Sequence, residues 1–274
     1  LLIGPWLMHY LHSVYDRYVL LTDAFKQYPQ LQTITLDPSS FQVPGDTREF
    51  IDLVNGDHYN LQLFSMLLTG LKFDFPSVPL PYESPTNGAA LDYRFKKRAS
   101  IIGSVKRKGA RFVESGISGT LGGMRRVGFH DMSLPREQIW SLVRGTGLRA
   151  VPITVQSIWS FNMPEPEFNQ HRNELAEITA SDEFESRFVQ TLPQNLPTIY
   201  LEGFNLARSE TLRNYSEVPP VLCSATGWLF NEQFKFLAAE ALKRGSRLVA
   251  VQHGGGDGEY RFAPIESHMC RLSE

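Results

Sequence analysis

The residues best suited to chemistry lie near the end of the chain, in Ser246-Arg-Leu-Val-Ala-Val-Gln-His-Gly-Gly-Gly256. Leu248–Val251 is a short apolar run rich in β-branched residues and reads as a buried strand. Gln252, His253, Gly254, Gly255 and Gly256 follow it directly. Glycine reaches backbone angles that other residues avoid and lets a ligand lie against bare main chain. Such a strand end can offer an imidazole and several N–H groups to an anion, at the edge where open α/β sheets bind their ligands. The rival reading of His253 is a turn histidine bonded to backbone.

The preceding stretch supplies the elements that would position this loop. Pro220–Ser224 reads as another short strand and Ala225-Thr226-Gly227 as a turn. Asn231–Arg244 is rich in helix formers, with Phe234, Leu237, Ala238, Ala241 and Leu242 on one stripe. Gly245 stands where a C-terminal cap is expected. Strand, helix and strand in this order form a right-handed βαβ unit. Both turns then fall on one sheet edge, which draws Ser224, Thr226, Gly227, Asn231, Glu232 and His253 towards one crevice. Lys235, one turn further on, either faces the crevice or is a solvated helix residue.

Several of these segments resemble one family. Ser-Ala-Thr-Gly-x3-Asn-Glu-Gln-Phe-Lys-Phe-x-Ala-Ala-Glu (Ser224–Glu240) and Val-x-Val-Gln-His-Gly-Gly-Gly (Val249–Gly256) are similar to the central block of transferases from bacterial surface-carbohydrate and O-antigen clusters. Gly-Pro-Trp-Leu-x-His-x2-His-x2-Tyr-Asp-Arg-Tyr (Gly4–Tyr18), Asp57-x2-Asn-Leu-Gln62 and Tyr200-Leu-Glu-Gly-Phe204 resemble it too. The likeness runs from Gly4 to His268, with a poorly matched middle. It implies Rossmann-like parallel sheets flanked by helices, as part of a two-lobed glycosyltransferase-B-type architecture. An acceptor-side lobe would span residues 1–200, and residues 201–274 would begin the nucleotide-binding βαβ region. It further implies a nucleotide-activated sugar as donor, a glycan or lipid-linked acceptor, and no cofactor or metal. Glu266 and His268 match the family, whereas Asp257 replaces an aromatic residue and Met269 an acid. Relative to the family, the chain is expected to be a fragment that lacks material at both ends, most of a second lobe included.

Composition narrows the alternatives. The chain has 274 residues and a formal net charge of −2, which leaves no basic field for nucleic acid. Two cysteines, Cys223 and Cys270, make no disulfide framework, so a reducing cytoplasm is the simpler expectation. No apolar stretch reaches the roughly 20 residues a bilayer crossing needs, and no signal peptide is visible. Partnership with the membrane is therefore expected to be peripheral at most, at its inner face.

The remaining elements follow in order. Leu1–Pro5 reads as a strand and Trp6–Tyr28 as the longest helix. His9, His12 and Asp16 share a face of that helix with Arg17 beside them. They would either contact sugar or acceptor, or simply pack; a zinc site lacks the expected spacing. Thr33–Leu36 is a second strand. Asp46 or Thr47 is expected to cap Arg48–Val54, and Asp57 to cap Tyr59–Leu71. Four prolines between Phe73 and Asn87 predict a surface connection. Leu91–Gly128 is locally basic, and its Gly116–Gly123 segment lacks the spacing of a phosphate-binding fingerprint. A basic loop there would suit an anionic lipid-linked acceptor or a membrane surface. Leu134–Arg144 reads as a helix, Arg149–Val155 as a strand, Phe168–Leu192 as helix and Thr198–Leu201 as a strand. Glu202 would stand at the carboxyl end of the last, as a cap or a base.

With the phosphate leaving and an acceptor hydroxyl losing a proton, His253 would meet the donor, and Glu232, Glu202 or His253 would serve as base. A polyol-phosphate transferase of the same fold type and a non-catalytic carbohydrate- or nucleotide-binding fragment are the competing readings.

Overall fold

The structure is a computed structural model and describes residues 1–81, 127–153, 155, 162–215, 217–252 and 263–272. The basic region, the Gly116–Gly123 segment and His253–Tyr260 lie outside the described residues.

The first 81 residues are mainly helical. α1 spans Gly4–Gln27, α2 Thr47–Val54 and α3 Asp57–Gly70. The strand expected at Leu1–Pro5 is absent: Gly4 already begins α1, and Pro5 sits in its first turn, where a missing N–H costs nothing. Asp46 caps α2 as expected, accepting from the Glu49 N–H at 2.8 Å. α3 starts one residue after Gly56, so Asp57 lies inside its first turn rather than at the cap. The short strands β1 (Thr35–Leu36) and β2 (Ser77–Val78) pair in parallel. Trp6, Tyr10, Phe50, Tyr59, Leu63 and Leu67 form the core of this helical half.

The second half is built on a parallel sheet of β3 (Val127–His130), β4 (Ala150–Pro152), β5 (Val221–Ser224) and β6 (Arg247–Ala250), in the order β4-β3-β5-β6. Its strands come from both sides of residue 200. Helices flank it: α4 (Arg136–Gly145), α8 (Gly227–Phe230), α9 (Glu232–Lys243) and α10 (Pro264–Leu272). β5, α9 and β6 make the expected βαβ unit, and Gly245 closes α9 at φ 84°, a conformation that favours glycine. Leu222, Trp228, Phe234, Leu237 and Leu248 form its core. β6 is less enclosed than its apolar run suggests. It lies at the edge of the sheet, with Leu248 buried and Val249 exposed.

Between the two halves the chain departs from the expected pattern. Phe168–Leu192 is not one helix but α5 (Gln170–Asn173), a 3-10 turn (Glu174–Glu177) and α6 (Glu183–Asn195). The expected strand at Thr198–Leu201 is a 3-10 turn, Thr198–Tyr200, followed by α7 (Phe204–Asn214). Pro197 precedes this turn, and the Thr198 and Ile199 N–H groups donate to Pro44 and Gly45 carbonyls instead of to a sheet neighbour.

Candidate functional site

The register of the sheet sets the geometry. His130 lies level with Ser224, and Ser224 level with Ala250. All three strands are parallel, so their carboxyl ends leave from one rim. The Val251 N–H donates to the Ser224 carbonyl at 2.9 Å, and Gln252 is exposed beyond it. The chain leading to His253 thus starts beside the Ser224–Gly227 bend; His253, Gly254, Gly255 and Gly256 lie outside the described residues.

The bend is tightly made. Buried Ser224 Oγ accepts from the Gly227 N–H at 3.0 Å, and the Trp228 indole N–H donates to the Ser224 carbonyl at 2.7 Å. A Cβ on Gly227 would stand 2.8 Å from Phe234 Cδ1 and 2.9 Å from His130 Cδ2, so no larger residue fits without displacement. Asn231 caps α9 by accepting from the Phe234 N–H at 3.0 Å. That orients its amide nitrogen to His130 Nε2 at 3.1 Å. His130 Nδ1 faces the Ile153 carbonyl at 3.0 Å, which requires a donor there. Together these partners select the neutral ring with its proton on Nδ1. Burial pushes the His130 pKa down, against the smaller opposing effects of Ile153 and Asp131.

Asp131, next in the chain, is exposed on the rim with φ 46°, a left-handed angle uncommon outside glycine. Two contacts hold it there: its carbonyl accepts from the Ala225 N–H at 3.1 Å, and its carboxylate from the Thr226 hydroxyl. Neither His130 nor Asp131 was among the residues the sequence pointed to. The signal was present in Val127-Gly-Phe-His-Asp, which ends an apolar-alternating strand in a histidine as Val249-Ala-Val-Gln-His does.

Glu232 and Lys235 sit deeper, on the first turn of α9. Lys235 is fully buried, not solvated, and its Nζ donates to Glu232 Oε1 at 2.8 Å and the Tyr200 hydroxyl at 2.9 Å. Longer contacts of 3.2 and 3.3 Å reach the Leu2 carbonyl and Thr47 Oγ1. Glu232 Oε1 also accepts from Tyr200 at 2.9 Å and from the Thr47 N–H at 3.2 Å. Burial lowers the Lys235 pKa, with the Glu232 charge opposing it, and raises the Tyr200 hydroxyl well above its ordinary value. Glu232 Oε2 is buried with no hydrogen-bond partner among the described residues.

The other candidates are scattered. Glu202 does not stand at a strand end. Arg172 grips it, with Nε to Oε1 at 2.7 Å and Nη2 to Oε2 at 2.6 Å. Burial alone would raise the Glu202 carboxyl, but Arg172 and the Glu167 N–H outweigh it and hold the pKa down. On α1, His12 and Asp16 are exposed, and Asp16 pairs with Arg17 at 3.2 Å while Arg17 binds the Asn60 carbonyl oxygen at 2.6 Å. His9 packs against Phe230 with ring centroids 5.9 Å apart. The His268 ring lies against the backbone of Gly4, where an added Cβ would come within 2.4 Å of it. The Glu266 side chain is outside the described residues. No three His, Cys, Asp or Glu side chains among the described residues converge as a metal site, and no described helix is long and apolar enough to cross a membrane.

One family profile, LIC12162 family transferase, matches residues 1–274. The chain belongs to the LIC12162 family of transferases. No curated protein and no solved structure matches it. In this family transferase, then, the rim of β3, β5 and β6 is where polar groups from separate elements come together, Thr226 with Asp131 and Asn231 with His130.

Proposed function

We propose that the protein transfers a sugar from a nucleotide-activated donor to a surface-polysaccharide or lipid-linked acceptor, within a two-lobed glycosyltransferase-B-type architecture. The observation that carries this reading is the shared rim, where Asp131, Thr226 and Asn231 stand beside the chain running into His253. Open parallel sheets bind nucleotides at such edges. In this reading the N–H groups of Gly254–Gly256 and the His253 imidazole meet the departing phosphate, whose charge grows in the transition state. No cofactor is assigned.

An acceptor hydroxyl also needs a base within hydrogen-bond reach. Glu202 has both oxygens committed to Arg172, and one oxygen of Glu232 takes donors from Lys235, Tyr200 and Thr47. Exposed Asp131 is better suited, and Glu232 instead fixes the first turn of α9 behind the rim.

The test is transfer from a panel of nucleotide sugars by the wild-type protein and by His253→Ala and Asp131→Asn. Loss of general-base assistance lowers turnover by about 100-fold or more. Full activity in both variants overturns the site, and phosphorus retained in the product would mean polyol-phosphate transfer instead.

A further inference from the structure

A second region of the molecule combines open volume with convergent side chains. Beside β1 two depressions of about 660 and about 400 Å³ adjoin, sharing Pro38 and Phe41 as their common wall. Each falls in the range of small-molecule sites, roughly 300–1,000 Å³. Together they make a groove longer than one compact ligand requires. One face of α6 lines its whole length: Arg187, Gln190, Thr191 and Gln194 recur at helical spacing, the first three in the larger depression and Gln194 in the smaller. Arg187 Nε is buried there with no hydrogen-bond partner among the described residues.

We propose that this groove binds a glycan chain several sugar units long, as the acceptor of the transfer proposed above. The inference rests on that reading for the word acceptor, but not for the binding itself. Sugar rings present rows of C–H groups on their faces and hydroxyls at their edges. Aromatic faces, which carry partial negative charge, suit the former. Phe41, Phe73 and Phe75 wall the larger depression, and Phe168 with Phe41 the smaller. Side-chain amides, which donate and accept at once, suit the hydroxyls. Gln190 and Gln194 provide two of these, one turn apart. A nucleotide diphosphate fits less well. Lys72 and Arg187 are matched by Asp74 and Glu165, which leaves no net positive field, and α6 presents its middle and last turns rather than its N–H terminus.

The experiment measures binding without turnover, by saturation-transfer NMR and calorimetry on the wild-type protein. The probes are maltotetraose, chitotetraose, tetragalacturonate and uridine diphosphate. At least one tetrasaccharide is expected to bind at millimolar concentration or better. Its affinity should fall at least tenfold in Gln190→Ala/Gln194→Ala and in Phe168→Ala, exposed or half-buried positions whose truncation leaves the core intact, with uridine diphosphate binding unchanged. Failure of every tetrasaccharide to bind, or binding that neither variant weakens, overturns the groove. Tetrasaccharide binding lost in the variants, with no transfer from any nucleotide sugar, upholds the groove and removes the glycosyltransferase reading. Transfer with an unaltered acceptor KM in the double variant does the reverse.

Discussion

Asp46 shows how a single capping residue acquires a pH dependence. Its carboxylate caps α2, yet burial, with Glu232 and Glu49 nearby, raises its pKa from 3.8 to about 6. A carboxyl that holds its proton more tightly folded than unfolded contributes stability that is full below about pH 4 and lost as the pH climbs through about 6. The two-unit shift corresponds to at most about 3 kcal/mol, less the screening its partly exposed position allows. Asparagine caps as well as aspartate and carries no charge. We therefore expect Asp46→Asn to gain stability relative to wild type between about pH 4 and 6. Urea unfolding at a series of pH values reads this directly. A constant difference across that window would show that Asp46 does not titrate there.

Among the elements, the region from α5 to the Thr198–Tyr200 turn depends on one side chain. Arg172 has no exposed surface and bonds both Glu202 oxygens, the Pro193 carbonyl at 2.7 Å and the Leu196 carbonyl at 3.0 Å. It thereby satisfies carbonyls at the end of α6 that no helical N–H can reach. Arg172→Ala leaves a buried carboxylate and those carbonyls unpaired and should cost about 3–5 kcal/mol. A stability loss of less than about 1 kcal/mol, read from the urea midpoint and slope, would contradict this. The same region shows what local pattern can miss. Acidic and apolar residues alternate through Phe168–Leu192 as in one helix, but Asn169 and Asp182 each accept from the N–H three residues on and start separate elements. Those cap residues were visible in the sequence; the periodicity masked them.

At the scale of the whole molecule, the Glu232–Lys235 pair ties the two cores together. Its partners are Thr47 at the start of α2, Tyr200 from the 3-10 turn and the Leu2 carbonyl ahead of α1. Lys235→Met is expected to lose about 3–5 kcal/mol, because Glu232 would keep a buried charge with no counterion. Adding Glu232→Gln should restore much of that loss. A double variant no more stable than the single one would mean that packing, not charge, sets the cost.

The sequence alone determined the β5–α9–β6 unit and its Gly245 stop, and it narrowed the α2 cap to Asp46 or Thr47. Each depends on residues close together in the chain, where propensity and periodicity act. It also brought out the Ser224–Gly227 bend at the rim and the likeness to a transferase family. Only the tertiary structure decided that His130 and Asp131 join that rim, because β3 reaches β5 across a sequence separation of about ninety residues. The same holds for Lys235, which lies on a helix that looks amphipathic but is covered by Leu2, Thr47 and Tyr200. It holds again for the groove, whose walls at Phe41, Phe73 and Gln190 meet only once the chain has folded. Contacts of that kind depend on which surfaces pack together, and no local stretch of residues encodes them.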